Sequence, residues 1–384
     1  TTSGLAAGAA REISAAGGNA VDCAIGTALM SMNTEPGVCS FAGGAYVTVW
    51  APDQPPVTID GIHAVPGLGL DASERGRGAE RVDMEYGGGV TSWVGPGSVA
   101  VPGAVAAFDL ASSTYGKLPW RDLFAPTVVA TRNGFPLPAS CHYYLRYTGK
   151  DIFARAEDGD FALHRDNGTL RDIGDTIFVP HLADSLQAIA DGGAEVFYTG
   201  HLGEAMSRHV RAGDGALTME DLASYRAIAR EALVAGVDHW EIATNPPPAV
   251  GGAILTAMLL GCRSLPGHSW DAASLAELIR VHRACLNFRR EKLDDADDVG
   301  EEAARLIAAA RDGQLVQHWA SASTVHTSAV DADGIGCSIT ASAGYGSGEM
   351  PEGTGLWLNN GLGEVELNPA GVAAGTPGER LPSN

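Results

Sequence analysis

The segment Thr324-Val325-His326-Thr327-Ser328-Ala329-Val330-Asp331, followed by Asp333-Gly334 and Ser338-Ile339-Thr340, constrains this chain more than any other. Small and β-branched residues lead into Asp-Gly, the preferred two-residue hairpin turn, and a second strand follows. A threonine opens the first strand and another closes the second. The residues before it, Ala320-Ser321-Ala322-Ser323, are small and polar. Cleavage of the backbone ahead of Thr324 would free its α-amine, and that amine could act as base for the hydroxyl beside it. Thr-x-His triplets also occur in ordinary strands, so the hairpin alone leaves a purely structural role open.

Composition excludes several classes. The 384 residues carry a net charge of −21, with acids spread along the chain. Such a chain has no electrostatic footprint for nucleic acid or an anionic membrane. No apolar run is long enough for a transmembrane helix. The six cysteines, Cys23, Cys39, Cys141, Cys262, Cys285 and Cys337, are isolated and without metal-ligand spacing. They read as small core residues in a reducing, cytoplasmic compartment. The chain opens at Thr1 without a visible leader, which keeps a secreted or periplasmic alternative open. His142 and His181 stand alone and read as structural. Gly43-Gly44 and Gly87-Gly88-Gly89 lack phosphate-loop spacing. No cofactor is expected.

Periodicity predicts helices over 5–16, 21–32, 104–115, 123–132, 182–191, 253–260 and 272–288, with strands over 45–50 and 57–60. Residues 66–99, rich in glycine and charge, read as a long surface excursion. Asp294, Asp295, Asp297 and Asp298, four carboxylates close together, could serve a metal or a basic partner, but read rather as the solvated start of a helix reaching Ala310, where acids suit the helix dipole. Strands at both ends of a helix-rich middle predict an α+β fold.

Blocks along the chain carry a resemblance. They include Gly17-Gly18-Asn19-Ala20-Val21-Asp22, Glu35-Pro36-Gly37-Val38-Cys39-Ser40, Val101-Pro102-Gly103-Ala104-Val105 and Tyr115-Gly116-Lys117-Leu118-Pro119-Trp120. Phe197-Tyr198-Thr199-Gly200, Leu217-Thr218-Met219-Glu220-Asp221, Pro246-Pro247-Pro248 and Leu358-Asn359-Asn360-Gly361 follow in order. With the hairpin, these blocks resemble the γ-glutamyltranspeptidase family of N-terminal-nucleophile hydrolases. The resemblance implies a four-layer αββα sandwich, two stacked sheets between helical layers. It implies a large-subunit region over 1–323 and the start of a small-subunit region over 324–384. Self-cleavage of the Ser323–Thr324 bond would separate them, and the two would stay associated.

The resemblance assigns roles residue by residue. Thr324 is the nucleophile, and Ser323, Thr324 and His326 form the processing site. Thr340 matches a threonine that hydrogen-bonds the nucleophile, though it also serves as an ordinary β-branched strand residue. Substrate contacts fall to positions 62, 342, 360, 364, 383 and 384, here Ile62, Ser342, Asn360, Glu364, Ser383 and Asn384. Three of these depart from the family pattern. Asp60-Gly61-Ile62-His63 replaces Asp-Phe-Arg-Glu, so Ile62 stands where an arginine grips the substrate α-carboxylate. An isoleucine supplies no charge-assisted contact, although Arg75 and Arg77 could compensate. Asn359-Asn360-Gly361-Leu362-Gly363-Glu364 keeps one acid of the loop that holds the α-amine, and Ser342 replaces an asparagine. Family members also carry a Gly-Gly oxyanion hole in a stretch beyond the segment that Arg380-Leu381-Pro382-Ser383-Asn384 resembles. The substrate expectation is a small molecule with a non-standard acyl group. Family members that cleave a carbon–carbon bond in a tyrosine-derived pyrroline acid during antibiotic biosynthesis are the natural comparison. A genuine γ-glutamyl transferase or glutathione hydrolase is the alternative. An unprocessed, non-catalytic relative is the second.

Overall fold

The computed structural model describes residues 1–264, 270–294, 296, 298–313 and 324–383. The chain divides into two compact units. The first comprises Thr1–Pro52, Ile59–Ile228 and Ser323–Leu381; the second comprises Asp53–Thr58, Ala229–Ala322 and Pro382–Asn384. The first unit therefore joins the N-terminal part of the sequence to the late segment Ser323–Leu381.

That joining is done by strands. β1 (Gly44–Trp50) lies between β2 (Val57–Gly61) and the second strand of the Thr324 hairpin. The strands Glu80–Met84 and Val90–Val94, β3 and β4, pair with each other. The hairpin itself is β5 (Val325–Val330) and β6 (Gly336–Ser342), antiparallel with Val325 opposite Ala341 and Val330 opposite Gly336. β6 also runs antiparallel to β1, with Gly44 opposite Ser342 and Trp50 opposite Gly336. Side chains alternate across a strand, so the register sorts them onto two faces. Ala45, Val47, Val49, Cys337, Ile339 and Ala341 share one face, and all are buried in the main core. Tyr46, Thr48, Ser338, Thr340, Ser342, His326 and Ser328 share the other.

Helices cover the apolar face. α1 (Gly4–Ala15) and α2 (Ala20–Thr34) form an antiparallel pair, and α2 packs on β5 and β6. α2 is buried along nearly its whole length, as its apolar composition requires. Its start is fixed by a capping box. The Asn19 side chain accepts the N–H of Val21 at 3.0 Å and of Asp22 at 3.1 Å, and the Asp22 carboxylate accepts the N–H of Asn19 at 2.9 Å. Such caps satisfy donors that the first helical turn leaves open. α3 (Ala104–Tyr115) and α4 (Trp120–Asn133) add to the same core.

The stretch 66–99 is not merely a surface excursion. It contains the β3–β4 hairpin, whose Met84, Ser92 and Val94 are buried. Alternation within Val90–Val94 was masked by the surrounding glycines. The helices Ala139–Thr148, His201–Ala212 and Met219–Ser224 also lie where no element was predicted.

In the second unit, the helices Gly251–Gly261, Ala272–Phe288 and Val299–Arg311 accompany the hairpin of Leu233–Val237 and Trp240–Thr244. Ala253, Ala257, Leu260, Cys285, Leu293 and Leu306 form its core. Asp298 caps the last helix, accepting the Glu301 N–H at 3.0 Å. Asp294 pairs with Arg289 at 2.8 Å. Asp295 and Asp297 lie outside the described residues.

Candidate active site

The hairpin sets Thr324 immediately before β5, exposed, at the end of the sheet where Ser342 and Gly44 also sit. Ser323 lies outside the described residues. Extending the β5–β6 register by one step places Thr324 beside Ser342 and diagonal to Thr340. The residue directly opposite Thr340 is His326. Direct cross-strand neighbours approach closer than diagonal ones, and the hydrogen bonding follows. His326 Nδ1 lies 2.8 Å from Thr340 Oγ1. The hydroxyl expected to face the nucleophile is thus engaged by the imidazole.

The other side of that ring is also held. His326 Nε2 is 3.0 Å from Ser328 Oγ and 3.2 Å from Ser338 Oγ, and the two serine hydroxyls are 3.4 Å apart. Partial burial lowers the imidazole pKa, because desolvation disfavours the charged form. Sequence reading picked out Thr324, His326 and Thr340 but passed over Ser328 and Ser338. The period-two pattern Thr324, His326, Ser328 against Ser338, Thr340, Ser342 was the available signal.

Ser342 sits at a close backbone crossing. Its hydroxyl accepts the Gly344 N–H at 3.1 Å. A Cβ on Gly43 would collide with the Ser342 carbonyl oxygen, so position 43 admits only glycine. Gly344 has φ of 64°, and a Cβ there would strike the Asn360 carboxamide and approach Glu364. Asn360 and the half-buried Glu364 therefore converge on the turn after β6.

Asn360 is already saturated. Its Oδ1 accepts the N–H groups of Tyr345 at 2.7 Å and Gly346 at 3.1 Å. Its Nδ2 donates to Ser92 Oγ at 2.9 Å and to the Trp93 carbonyl at 3.1 Å. A fully buried carboxamide with all four bonds made is a clamp between the β3–β4 hairpin and the post-β6 turn. That corrects the expectation of a substrate contact. Asn359 does the same work nearby, joining Ala42, Ala100 and Gly361.

Ile62 is buried at the end of β2. Its carbonyl accepts the Tyr225 hydroxyl at 2.6 Å, and its N–H donates to Asp60 at 3.1 Å. The next residue, His63, is also buried, and its Nε2 has no hydrogen-bond partner. Burial pushes its pKa down to about 4, so the ring is neutral. A cation does lie close by in the fold. Arg380 stacks 4.3 Å above the Tyr225 ring, and its Nε is 3.4 Å from the buried Asp60 carboxylate. That charge is committed to Asp60 and to backbone carbonyls. Arg75 donates to the Gly375 carbonyl at 2.8 Å, and Arg77 is exposed. Ser383 belongs to the second unit, where its carbonyl accepts the Val250 N–H at 3.1 Å. Asn384 lies outside the described residues.

Comparison with known proteins places this geometry. The family model described as Gamma-glutamyltranspeptidase matches residues 6–384. A glutathione hydrolase proenzyme of Pseudomonas aeruginosa is 28% identical over 95% of this chain and 67% of its own length. The Escherichia coli glutathione hydrolase proenzyme is 24% identical over 92% of this chain and 64% of its own length. The chain thus spans about two thirds of the length of these relatives. Among solved structures, cephalosporin acylase from Bacillus halodurans superposes with a TM-score of 0.78 at 23% identity, covering 99% of this chain and 72% of that one. The likeness to the acylase speaks for the fold. With the family model running over nearly its whole length, the chain belongs to the γ-glutamyltranspeptidase family of enzymes.

Proposed function

We propose that this chain is part of a self-processing N-terminal-threonine hydrolase or acyltransferase whose acyl substrate is not an ordinary γ-glutamyl group. The fold would be the four-layer αββα form, with the polar face of β1, β6 and β5 turned toward the reaction. Thr324 Oγ attacks the Ser323 carbonyl, the peptide becomes an ester as the nitrogen leaves, and water hydrolyses the ester. That releases the Thr324 amine, whose ordinary pKa is about 7.7–8.0. The amine then accepts the hydroxyl proton as Oγ attacks the substrate carbonyl. An acyl-enzyme forms, the leaving group (an amine nitrogen, or a carbon where a carbon–carbon bond is cut) takes the proton, and water or an acceptor amine completes the turnover.

The reading of the nucleophile is supported by Thr324's position at the head of a strand in a sheet whose neighbouring side chains are hydroxyls and a neutral imidazole. The reading of the substrate rests on one observation. The Ile62-His63 stretch is buried and uncharged, and the nearby Arg380 already faces Asp60. A carboxylate brought against such a wall loses hydration and gains no cation. The pyrroline-acid carbon–carbon hydrolysis of antibiotic pathways remains the natural model for such an acyl group.

Expression of the full gene followed by intact-mass measurement and N-terminal sequencing tests the first part. Two chains, with the second beginning at Thr324, are expected, and Thr324→Ala should stay one chain. A wild-type protein that remains single, or is cut elsewhere, favours an unprocessed relative instead.

A further inference from the structure

We propose that a narrow cavity beside the turn after β6 is the subsite for the far end of the acyl group, where the Ser40 hydroxyl donates to a single uncharged oxygen. This inference rests on the acyl-transfer reading of Thr324 and names the class of acyl group it would take. Ser40, Phe153, Ala343, Gly344, Trp357 and Leu358 are among the residues that line the cavity, all within the first unit. No charged side chain lines it among the described residues. Ser40 is only 7% exposed, and its hydroxyl has no hydrogen-bond partner among the described residues. A buried hydroxyl left unpaired costs free energy that a ligand oxygen recovers.

The cavity adjoins the end of the sheet that carries Thr324. A Cβ on Gly43 would collide with the carbonyl oxygens of both Ser342 and Ser40, so the two backbones converge there. Ser342 is the residue that the extended β5–β6 register sets beside Thr324. Ala343 and Gly344 follow it directly and form part of the cavity wall. The space takes about one water-sized group. Its walls are otherwise apolar, with the Phe153 and Trp357 rings meeting edge to face at 5.9 Å. A lone buried water needs roughly two to four polar partners, and Ser40 supplies one. The Trp357 indole N–H is also unpartnered among the described residues, but it lies toward Gly159, where a Cβ would come within 3.1 Å of it. An oxygen on an acyl chain needs only the Ser40 bond, since the ester to Thr324 tethers it. A charged end is excluded, because burying a carboxylate or ammonium here costs far more than one neutral hydrogen bond returns. The fitting class is an acyl group with a ketone, amide or ether oxygen a few bonds from the scissile carbonyl.

The test uses the full-length protein, with circular dichroism as the check on folding. In processed protein, the p-nitroanilides of 4-oxopentanoic, 5-oxohexanoic and 6-oxoheptanoic acid are compared with the pentanoyl, hexanoyl and heptanoyl anilides. At least one oxo compound should exceed its parent in kcat/KM by about five- to tenfold, the scale of one buried neutral hydrogen bond. Ser40→Ala should bring that ratio to about one, chiefly through KM, and Ser40→Thr, which keeps the hydroxyl, should retain it. Ratios near one throughout the wild-type series overturn the subsite, and a preference that survives Ser40→Ala overturns the role of Ser40. In Thr324→Ala protein, NMR titration with the matching oxo amides and plain amides should show the same preference as binding. The bound oxo amide should give nuclear Overhauser contacts to the Phe153 and Trp357 rings. Their absence overturns the subsite even if Ser40→Ala does not fold. Wild-type protein that is never cut at Thr324 and cleaves no anilide removes the nucleophile instead, while the amide titration still decides the cavity.

Discussion

The Asp331 carboxylate, in the turn of the Thr324 hairpin, reaches the first residue of α2: its Oδ2 accepts the Ala20 N–H at 3.1 Å. The other oxygen accepts the N–H groups of Asp333 and Ile335, each at 3.0 Å. One side chain thus closes the hairpin turn and supplies a helix start with an anion.

Asp331→Ala should therefore destabilise the protein by about 1–3 kcal/mol, the scale for hydrogen bonds to a charged group. Burial alone would raise the Asp331 pKa, but the bonds from Ala20, Ile335 and Asp333 outweigh it and hold the pKa below the ordinary carboxylate value. A depressed pKa means the unfolded chain binds the proton more readily. The contribution is then complete above the unfolded carboxylate pKa and fades as pH falls through the folded value. Urea midpoints compared between pH 7 and pH 3 should show the variant losing less than wild type. Equal acid sensitivity would remove Asp331 from the account.

Asn360→Ala should cost about 2–4 kcal/mol, because it strands the buried N–H groups of Tyr345 and Gly346. Protein that still folds should keep its KM within about twofold, since Asn360 has no bond left for substrate. A large rise in KM at unchanged stability would restore Asn360 to the substrate site.

The hairpin's two strands were legible from their β-branched residues, but its loop is not the expected two-residue Asp-Gly turn: Val330 pairs with Gly336, a turn closes from the Gly334 N–H to the Asp331 carbonyl, and Gly334 follows at φ 84°. α2, Ala104–Tyr115 and Ala272–Phe288 were legible through their periodicity and caps. Position 360 was not, since an Asn in a polar loop reads alike as a ligand contact or a clamp. Its partners, Ser92 and Trp93, are more than 260 residues away in sequence. The Arg380–Asp60 pair was hidden for the same reason, with 320 residues between the partners. The ladder register was hidden too, because matching a motif does not fix which residues face each other, and β5 and β6 set Thr340 opposite His326.

The cysteines should differ in reactivity. Burial pushes Cys39, Cys141, Cys285 and Cys337 up to about 12. Cys23 and Cys262 are raised by burial as well, but both are partly exposed. Thiolate is the reacting species. Iodoacetamide at pH 8 should label Cys23 and Cys262 first in the native protein, and the other four only after unfolding. Mass mapping that finds Cys337 among the first labelled would contradict the burial of β6.

The sharpest question is what Ile62 does to substrate choice. The complete, processed protein should turn over γ-glutamyl-p-nitroanilide far below the ordinary enzymatic range of about 1–10³ s⁻¹. Ile62→Arg would set a guanidinium at the end of β2, beside Asp60, whose carboxylate already accepts the residue-62 N–H at 3.1 Å. A charge-assisted bond to the substrate carboxylate is worth roughly 1.5–3 kcal/mol, or about ten- to a hundredfold in kcat/KM. The gain should appear with γ-glutamyl anilide and vanish with an acyl anilide that lacks the α-carboxylate. An equal gain with both would mean that the substitution acts on the fold and not on recognition. Ordinary γ-glutamyl turnover by the wild type would show that another cation grips the carboxylate, and would return the protein to γ-glutamyl chemistry.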